Sequence, residues 1–191
     1  MIHFYTNREL SEKLDINLAR WKRWSRSFLP PDPLGGLQSG YTRQYLFKDL
    51  FKVFLGGHLL GHLKLSLPES RRVLADLSPW LIKDGFFELT GFQERETSAI
   101  GHREGYRIYF CSTVKRGKKN RFQFAYLIRQ TRHIQRGQSP DGELVTETYA
   151  ETRLHCDRPK GEDLLQSPSV QLINLSGLYE QVHAALNHQP R

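Results

Sequence analysis

The chain has 191 residues and carries 28 lysines and arginines against 20 aspartates and glutamates, a formal net charge of +8. A hydrophobic fraction of 38% and an aromatic fraction of 12% suffice for a packed core, so we do not expect a disordered chain. The two cysteines, Cys111 and Cys156, stand apart, which argues against a disulfide scaffold or a multi-cysteine zinc site. The excess of positive charge favours a polyanionic partner.

Neither a secretory leader nor a membrane span is visible in the sequence. The first residues, "MIHFYTNREL", lack the basic region followed by an apolar region that marks a leader. The longest apolar run is far shorter than the roughly 18 residues that a membrane span requires. We therefore expect a cytoplasmic protein with no membrane partner.

Two short helices are predicted at the start of the chain. Thr6 and Glu9 have the spacing of a capping box, which predicts a helix over residues 7–14. After a short turn, Asn17 can cap a second helix over residues 18–25, because asparagine is a preferred N-cap residue. Two short helices joined by a tight turn are the layout of a helix-turn-helix.

The second predicted helix is strongly basic. Trp21 and Trp24 are three residues apart and share one helical face, which would anchor the helix in a core. The basic residues that would project from the other faces are Arg20, Lys22, Arg23 and Arg26. A helix of this kind can lie in a major groove and contact phosphates and base edges. The alternative is an amphipathic helix whose solvated face is basic.

The segment "FLPPDPLGGLQSGYTRQY", residues 28–45, is predicted to be a wing. Its prolines cannot continue a helix and would end the basic helix, while its glycines allow a tight reversal of the backbone. Tyr41 and Tyr45 would pack or flank a nucleic-acid backbone. Arg43, between them, would contact a phosphate.

Two further helices are predicted after this segment. One covers residues 47–60, although the glycines at positions 56, 57 and 61 each weaken it by about 1 kcal/mol relative to alanine. Such a helix must be held by packing. Ser66 and Glu69 form a second capping box, which predicts a fourth helix that ends near Leu77.

The order of these elements resembles the N-terminal DNA-binding domain of the MerR family of transcriptional regulators, over about residues 4–77. In that family a "GLLPP"-like turn follows the recognition helix and the wing carries "GYRxY"; "FLPPD" and "GYTRQY" stand in those places here. Lys22 falls at the family's arginine and Trp24 at its aromatic position. "LKLSLPESRRVL" resembles the family's "LGFSLEEI" start of the fourth helix.

The resemblance implies a sequence-specific regulator that binds double-stranded DNA. It assigns Arg43 to a phosphate contact, and the candidates for base contact are Asn17, Arg20 and Arg23, although Asn17 has an alternative role as the helix cap. The complete set of expected DNA-binding residues is Asn17, Arg20, Lys22, Arg23, Arg26, Tyr41, Arg43 and Tyr45.

The pattern changes beyond residue 78. Pro79, Gly85 and Gly91 interrupt any long helix of the kind through which the family pairs, so residues 79–104 are predicted to be a connector. Alternation with period two then predicts strands. The predicted strands cover residues 106–114, 121–130, 143–154 and 169–175, and a closing helix covers residues 176–186.

The predicted fold class is therefore α+β. A winged helix-turn-helix domain occupies residues 1–78, and a β-rich domain for dimerisation or sensing occupies residues 105–191. The closing helix has two alternatives: it covers the sheet, which we favour, or it forms a dimer seam.

A hairpin in the second half offers a competing function. Phe122, Phe124 and Tyr126 alternate along one strand, and aromatic side chains beside a positive rim can stack on unpaired bases. The basic residues of the adjacent loop are Lys115, Arg116, Lys118, Lys119 and Arg121. The alternatives are thus an RNA- or single-strand-binding protein that uses this sheet, or an architectural or adaptor protein. The aromatic residues equally suit a packed core, which we favour.

No pattern indicates catalysis, a cofactor or a metal. His58 and His62 are four apart but lack the glutamate of a zinc-protease motif. His155, Cys156 and Asp157 are consecutive, and neighbours along a strand point to opposite faces, so they would not form a nucleophile–base pair. We expect a dimeric regulator associated with the bacterial nucleoid. Its expected partners are duplex DNA, a second copy and RNA polymerase.

Overall fold

The computed structural model describes residues 3–32, 42–89, 105–112, 123–155 and 164–187. Helices and antiparallel sheet are both present, which confirms the mixed α+β class. The chain divides into two compact units: Met1–Arg95 together with Tyr179–Arg191, and Glu96–Leu178. The sequence predicted an N-terminal domain followed by a C-terminal domain, whereas the first unit combines residues from both ends of the chain.

The first unit is built mainly from helices. They are α1 Asn7–Lys13, α2 Leu18–Phe28, α3 Phe47–Gly61, α4 Leu67–Lys83 and the end of α5 Leu175–Asn187. Two short strands, β1 Tyr5–Thr6 and β2 Gln44–Tyr45, pair antiparallel.

The capping residues of the first two helices act as the sequence predicts. Thr6 Oγ1 accepts a hydrogen bond from the Glu9 backbone N–H at 3.3 Å, and Glu9 Oε2 accepts one from the Thr6 N–H at 2.7 Å. Asn17 Oδ1 accepts from the N–H groups of Ala19 and Arg20 at 3.0 and 3.3 Å. Between the helices Asp15 has a φ of 51°, a left-handed conformation that aspartate tolerates better than most residues. The two predicted helices and the short turn between them are therefore present.

The basic helix α2 ends at Phe28, one turn later than predicted. Leu29 has extended backbone (φ −111°, ψ 156°) and precedes Pro30, as expected because proline disfavours helical backbone in the residue before it. The last turn forms because Phe28, which is 6% exposed, packs into the core. The prolines therefore end the helix, but core packing decides where.

Helices α2 and α3 approach each other closely at two glycines. A Cβ placed on Gly56 would lie 2.6 Å from Phe28 Cδ2, and one placed on Gly57 would lie 2.2 Å from Trp24 Cε3. These distances are far below van der Waals contact, so any side chain would push the rings away. The glycines that weaken α3 as an isolated helix are thus the residues that let α2 pack against it.

Helix α4 corrects the predicted start of the connector. It continues through Pro79 to Lys83, although the sequence suggested an end near Leu77. Pro79 removes one backbone hydrogen bond, but Leu77 and Leu81 are both fully buried. Burial of this apolar face outweighs the local cost of proline, so the first residues assigned to the connector are helical.

Helix α5 contributes to the first unit from Tyr179 onward. The Tyr179 ring lies edge-on to Phe47, Phe51 and Phe86, with centroid distances of 5.5, 5.6 and 5.9 Å. Its hydroxyl donates to the Glu88 carbonyl at 2.6 Å. This part of the helix completes an aromatic core among the helices of the first unit, a role that the sequence did not predict. The two alternatives for the closing helix, a cover for the sheet or a dimer seam, stay predictions.

The stability of this aromatic core should fall at high pH. Burial, and then the charge of Glu88, raise the pKa of Tyr179 to about 12, whereas tyrosine in an unfolded chain ionises near 10. Between these values the unfolded state loses a proton that the folded state retains, so the free energy of unfolding decreases as pH rises from about 10 to about 12.

Urea unfolding across this range should show the decrease, and Tyr179→Phe should make it shallower. Burial also raises the pKa values of Tyr5 and Tyr45, so some slope remains. An unchanged slope in Tyr179→Phe would contradict the assignment.

The second unit contains a four-stranded antiparallel sheet in the order β5-β4-β3-β6. The strands are β3 Tyr106–Ser112, β4 Phe124–Ser139, β5 Gly142–Leu154 and β6 Gln171–Asn174. All four coincide with predicted strands, but β4 runs well past the predicted end at residue 130. Its outer half pairs with β5 around a bulge between Thr131 and His133 and is exposed on both faces, so its sequence shows no apolar alternation.

The aromatic residues of β4 are buried. Phe124 and Tyr126 are 4% and 0% exposed, and both rings pack against Phe110 at centroid distances of 5.9 and 6.0 Å. The structure therefore supports the core interpretation of these side chains. Phe122 and the basic loop with Lys115, Arg116, Lys118, Lys119 and Arg121 lie outside the described residues.

Candidate nucleic-acid interface

The exposed face of α2 is basic. Trp21, Ser25 and Phe28 are buried on the inner face. The exposed basic side chains of the helix are Arg20, Lys22, Arg23 and Arg26. This division follows the helical period and leaves the cations in solvent, where they are free of the cost of burying a charge.

Three of the predicted cationic residues converge on one cleft. Lys22 and Arg26 are one turn apart on α2. Arg43, which directly precedes β2, lines the same cleft. The cleft has a volume of about 540 Å³ and is lined by Asn7, Lys22, Ser25, Arg26, Leu29, Pro30, Pro31, Asp32, Arg43 and Tyr45. The lining holds three cations and one carboxylate, Asp32, so positive charge is in excess, and an excess of one sign around a concave surface concentrates the electrostatic potential there. Arg20 and Arg23 are not among the lining residues.

Tyr45 forms the floor of this cleft. Its side chain is 1% exposed. The Tyr45 hydroxyl donates a hydrogen bond to Asn7 Oδ1 at 2.7 Å. The same hydroxyl lies 2.7 Å from Ser25 Oγ, and since its own proton is used, Ser25 acts as the donor. Burial raises the pKa of this hydroxyl, so it stays protonated at neutral pH. Tyr45 was expected among the surface contacts, but the structure places it in the core, where it ties β2 to α1 and α2.

Arg43 is positioned by the same tyrosine. The Arg43 guanidinium carbon lies 5.6 Å from the centroid of the Tyr45 ring, within the range of a cation–π interaction. The ladder between β1 and β2, with Tyr5 opposite Tyr45, fixes this part of the backbone against the start of α1. The rest of the predicted wing, residues 33–41 with Tyr41, lies outside the described residues.

The role of Asn17 as a helix cap is confirmed by its two hydrogen bonds to backbone N–H groups. Its side-chain oxygen is therefore engaged in holding the start of α2. Contact of Asn17 with a base stays a prediction. Only the side-chain amide nitrogen of Asn17 could make that contact while the oxygen keeps its hydrogen bonds to the start of α2.

Arg71 is a residue that the sequence reasoning missed. It is exposed on α4, and its Nε donates to the Ser27 carbonyl at 2.8 Å, at the carboxyl end of α2. A cation at this end is favoured by the helix dipole, and it extends the basic surface beyond α2. The signal was present in "ESRR" after the second capping box, but nothing in the sequence placed it near Ser27.

The two histidines of α3 stack on each other. The rings of His58 and His62 are 4.8 Å apart, and burial, followed by the proximity of His62, lowers the pKa of His58. Among the described residues, no group of three or more histidines, cysteines, aspartates or glutamates could hold a metal ion. Nor is any described helix long and apolar enough to cross a membrane.

Removing the Tyr45 hydroxyl should destabilise the first unit. Tyr45→Phe removes the hydroxyl that bonds the buried Ser25 Oγ and the half-buried Asn7 Oδ1, and an unsatisfied buried polar group costs about 1–3 kcal/mol. Urea unfolding should show a loss of this size. Because the Ser25 and Tyr45 hydroxyls bond each other, Ser25→Ala combined with Tyr45→Phe should cost less than the sum of the single variants. Additive costs would show that the two hydroxyls do not interact.

No protein-family model matches the chain, and no curated protein matches it significantly. The residues and their geometry therefore carry the proposed function.

Proposed function

We propose that this protein is a sequence-specific transcription regulator that binds double-stranded DNA through a MerR-like winged helix-turn-helix. The observation that carries the proposal is the convergence of Lys22, Arg26 and Arg43 on one cleft beside the exposed basic face of α2. Lys22 and Arg26 belong to the proposed recognition helix, and Arg43 belongs to the proposed wing. A winged helix that binds a DNA strand needs phosphate contacts from both elements.

The geometry supports a division of roles. The three cations of the cleft point into a common concavity and suit phosphate groups, which supply most of the salt-dependent affinity for DNA. Arg20 and Arg23 lie outside the cleft on the exposed face of α2, where an arginine can reach guanine O6 and N7 in the major groove. Phosphate contacts position the protein, and the base contacts give the sequence preference.

The single-strand alternative has less support. It needs aromatic side chains on the sheet that are open to bases, and Phe124 and Tyr126 are buried. A regulator that reads a two-fold site also needs a second copy. The proposal therefore includes a homodimer, with RNA polymerase as a further partner and the bacterial nucleoid as the location.

A fluorescence-anisotropy titration tests the proposal. The full chain is titrated against a duplex from the upstream region of its own gene, a scrambled duplex and a single strand, each at about 50 and about 200 mM salt. We expect the upstream duplex to bind most tightly and all binding to weaken steeply with salt. Equal affinity for the three probes would reject sequence-specific regulation, and a preference for the single strand would transfer the function to the sheet.

A further inference from the structure

Strand β5 forms a long edge of the sheet in the second unit. It has 13 residues, and among the described strands it pairs with β4 alone. All of its residues except Glu147 and Leu154 are exposed. The opposite edge, β6, has only four residues. A long exposed edge presents a row of backbone groups that can pair with another strand.

Proline and lysine, two common protections of an edge strand, are missing from β5, although the strand carries the charged residues Glu143, Glu147, Glu151 and Arg153. Natural edges are often shortened or carry proline, lysine or a bulge. The sequence of β5, "GELVTETYAETRL", contains neither proline nor lysine, and the bulge of this hairpin lies in β4. Threonine, valine and tyrosine, which favour strands, are frequent in it. The strand is thus well suited to accept a partner strand.

The charge of the hairpin argues for a protein partner over nucleic acid. Residues 124–154 carry four arginines against one aspartate and three glutamates, a net charge of 0 in a chain of +8. Glu147 accepts two hydrogen bonds from Arg107, at 2.7 and 3.1 Å. Leu144 and Val145 are 58% and 49% exposed. Apolar side chains with neutralised charges suit a protein surface.

We propose that β5 pairs antiparallel with β5 of a second copy, so that the two four-stranded sheets become one continuous sheet. In the register that pairs all of Gly142–Leu154, the two-fold axis passes beside Thr148. This register places Glu143 opposite Arg153 of the second copy, and the same contact recurs on the other side of the axis. Opposite charges directly across two strands stabilise the pair.

Neighbouring registers are disfavoured by the glutamates of β5. The two-fold axis is normal to the sheet, so opposing residues of the two strands point to the same face of the sheet. The axis can therefore pass only beside a residue, and neighbouring registers place it one residue further along β5. With the axis at residue 147, Glu143 faces Glu151 and Glu147 faces its own copy. With the axis at residue 149, Glu147 faces Glu151. Like charges directly opposite destabilise a strand pair, so the charge pattern disfavours these two neighbouring registers, although the ion pairs of Glu147 with Arg107 and of Glu151 with Arg129 weaken the repulsion. An axis at residue 150 would place Glu147 opposite Arg153 but would pair fewer residues of β5, so the length of the pairing favours the full-length register.

Sedimentation equilibrium of the full chain without DNA tests the proposal. We expect a species of twice the 22.3 kDa chain mass in micromolar solution. Thr148→Lys places two ammonium groups opposite each other across the axis and should raise the dimer Kd at least about tenfold. Gln135→Lys adds the same charge to the exposed part of β4 and should leave Kd unchanged. A monomer at all concentrations, or equal effects of the two variants, would overturn pairing through β5.

A charge exchange tests the register. Glu143→Arg and Arg153→Glu should each weaken the dimer, because each puts like charges opposite each other, and the double variant should restore it. Circular dichroism of each variant establishes that the sheet persists. Failure of the double variant to restore the dimer would overturn the axis at Thr148. Because no DNA is present, these outcomes test the homodimer of the proposed regulator separately from its binding to DNA.

Discussion

Gly56→Ala should lower the free energy of unfolding by about 1 kcal/mol, although alanine ordinarily strengthens a helix. The added Cβ would lie 2.6 Å from Cδ2 and Cε2 of Phe28. Phe28 is 6% exposed and is enclosed by the core, so its ring cannot move aside freely. Overpacking of this kind costs about 1–3 kcal/mol, which exceeds the gain in helix propensity of about 1 kcal/mol.

Gly61→Ala is the matched control for this prediction. It lies in the same helix, but its added Cβ would meet only Trp24 Cζ2, at 4.0 Å, which is ordinary contact. Alanine there should raise the free energy of unfolding by about 0.5–1 kcal/mol. Urea unfolding of the two variants should therefore give changes of opposite sign. Stabilisation by both would show that Phe28 does not lie against Gly56 in solution.

Removing the three cations of the cleft should weaken binding to every duplex. Lys22→Ala, Arg26→Ala and Arg43→Ala combined should reduce affinity by about a hundredfold or more at low salt. The slope of log K against log salt should become shallower by about three, because each phosphate contact contributes about one. The preference for the upstream duplex over the scrambled one should persist. Anisotropy titrations at several salt concentrations measure both quantities.

Two comparisons make this prediction specific. A variant with Lys48, Lys52 and Lys83 replaced by alanine loses the same charge from α3 and α4, outside the cleft lining, and should bind nearly as tightly as the native chain. Arg23→Ala should instead reduce the preference for the upstream duplex by about tenfold, as for a base contact worth about 1–3 kcal/mol. If both triple variants lose affinity equally, binding reflects net charge and the cleft has no special role.

Local sequence signals predicted the helices of the first unit well. The capping boxes at Thr6 and Ser66 fix the starts of α1 and α4, because a cap is a contact over three residues that the sequence displays directly. The helical period placed Lys22 and Arg26 on the exposed face for the same reason. These interactions are short in sequence, so no knowledge of the tertiary fold was needed.

Contacts between distant residues account for the misplaced elements. Tyr45 is buried because Asn7 and Ser25 bond its hydroxyl, and no local pattern displays that pairing. Helix α4 passes Pro79 because Leu81 is buried against other parts of the core. In each case burial determined by the tertiary fold outweighed a correct local preference.

The packing of Tyr179 among the aromatic rings affects when the first unit can fold during protein synthesis. Lys13 Nζ also donates to the Leu186 carbonyl, at 3.1 Å, so the first helix and the aromatic core both contact residues near the other end of the sequence. The first unit is therefore discontinuous along the chain. During synthesis, Phe47, Phe51 and Phe86 leave the ribosome long before Tyr179 can join them. A fragment cut after residue 95 lacks the ring at the centre of this core, so α1 and α2 are best studied in the full chain.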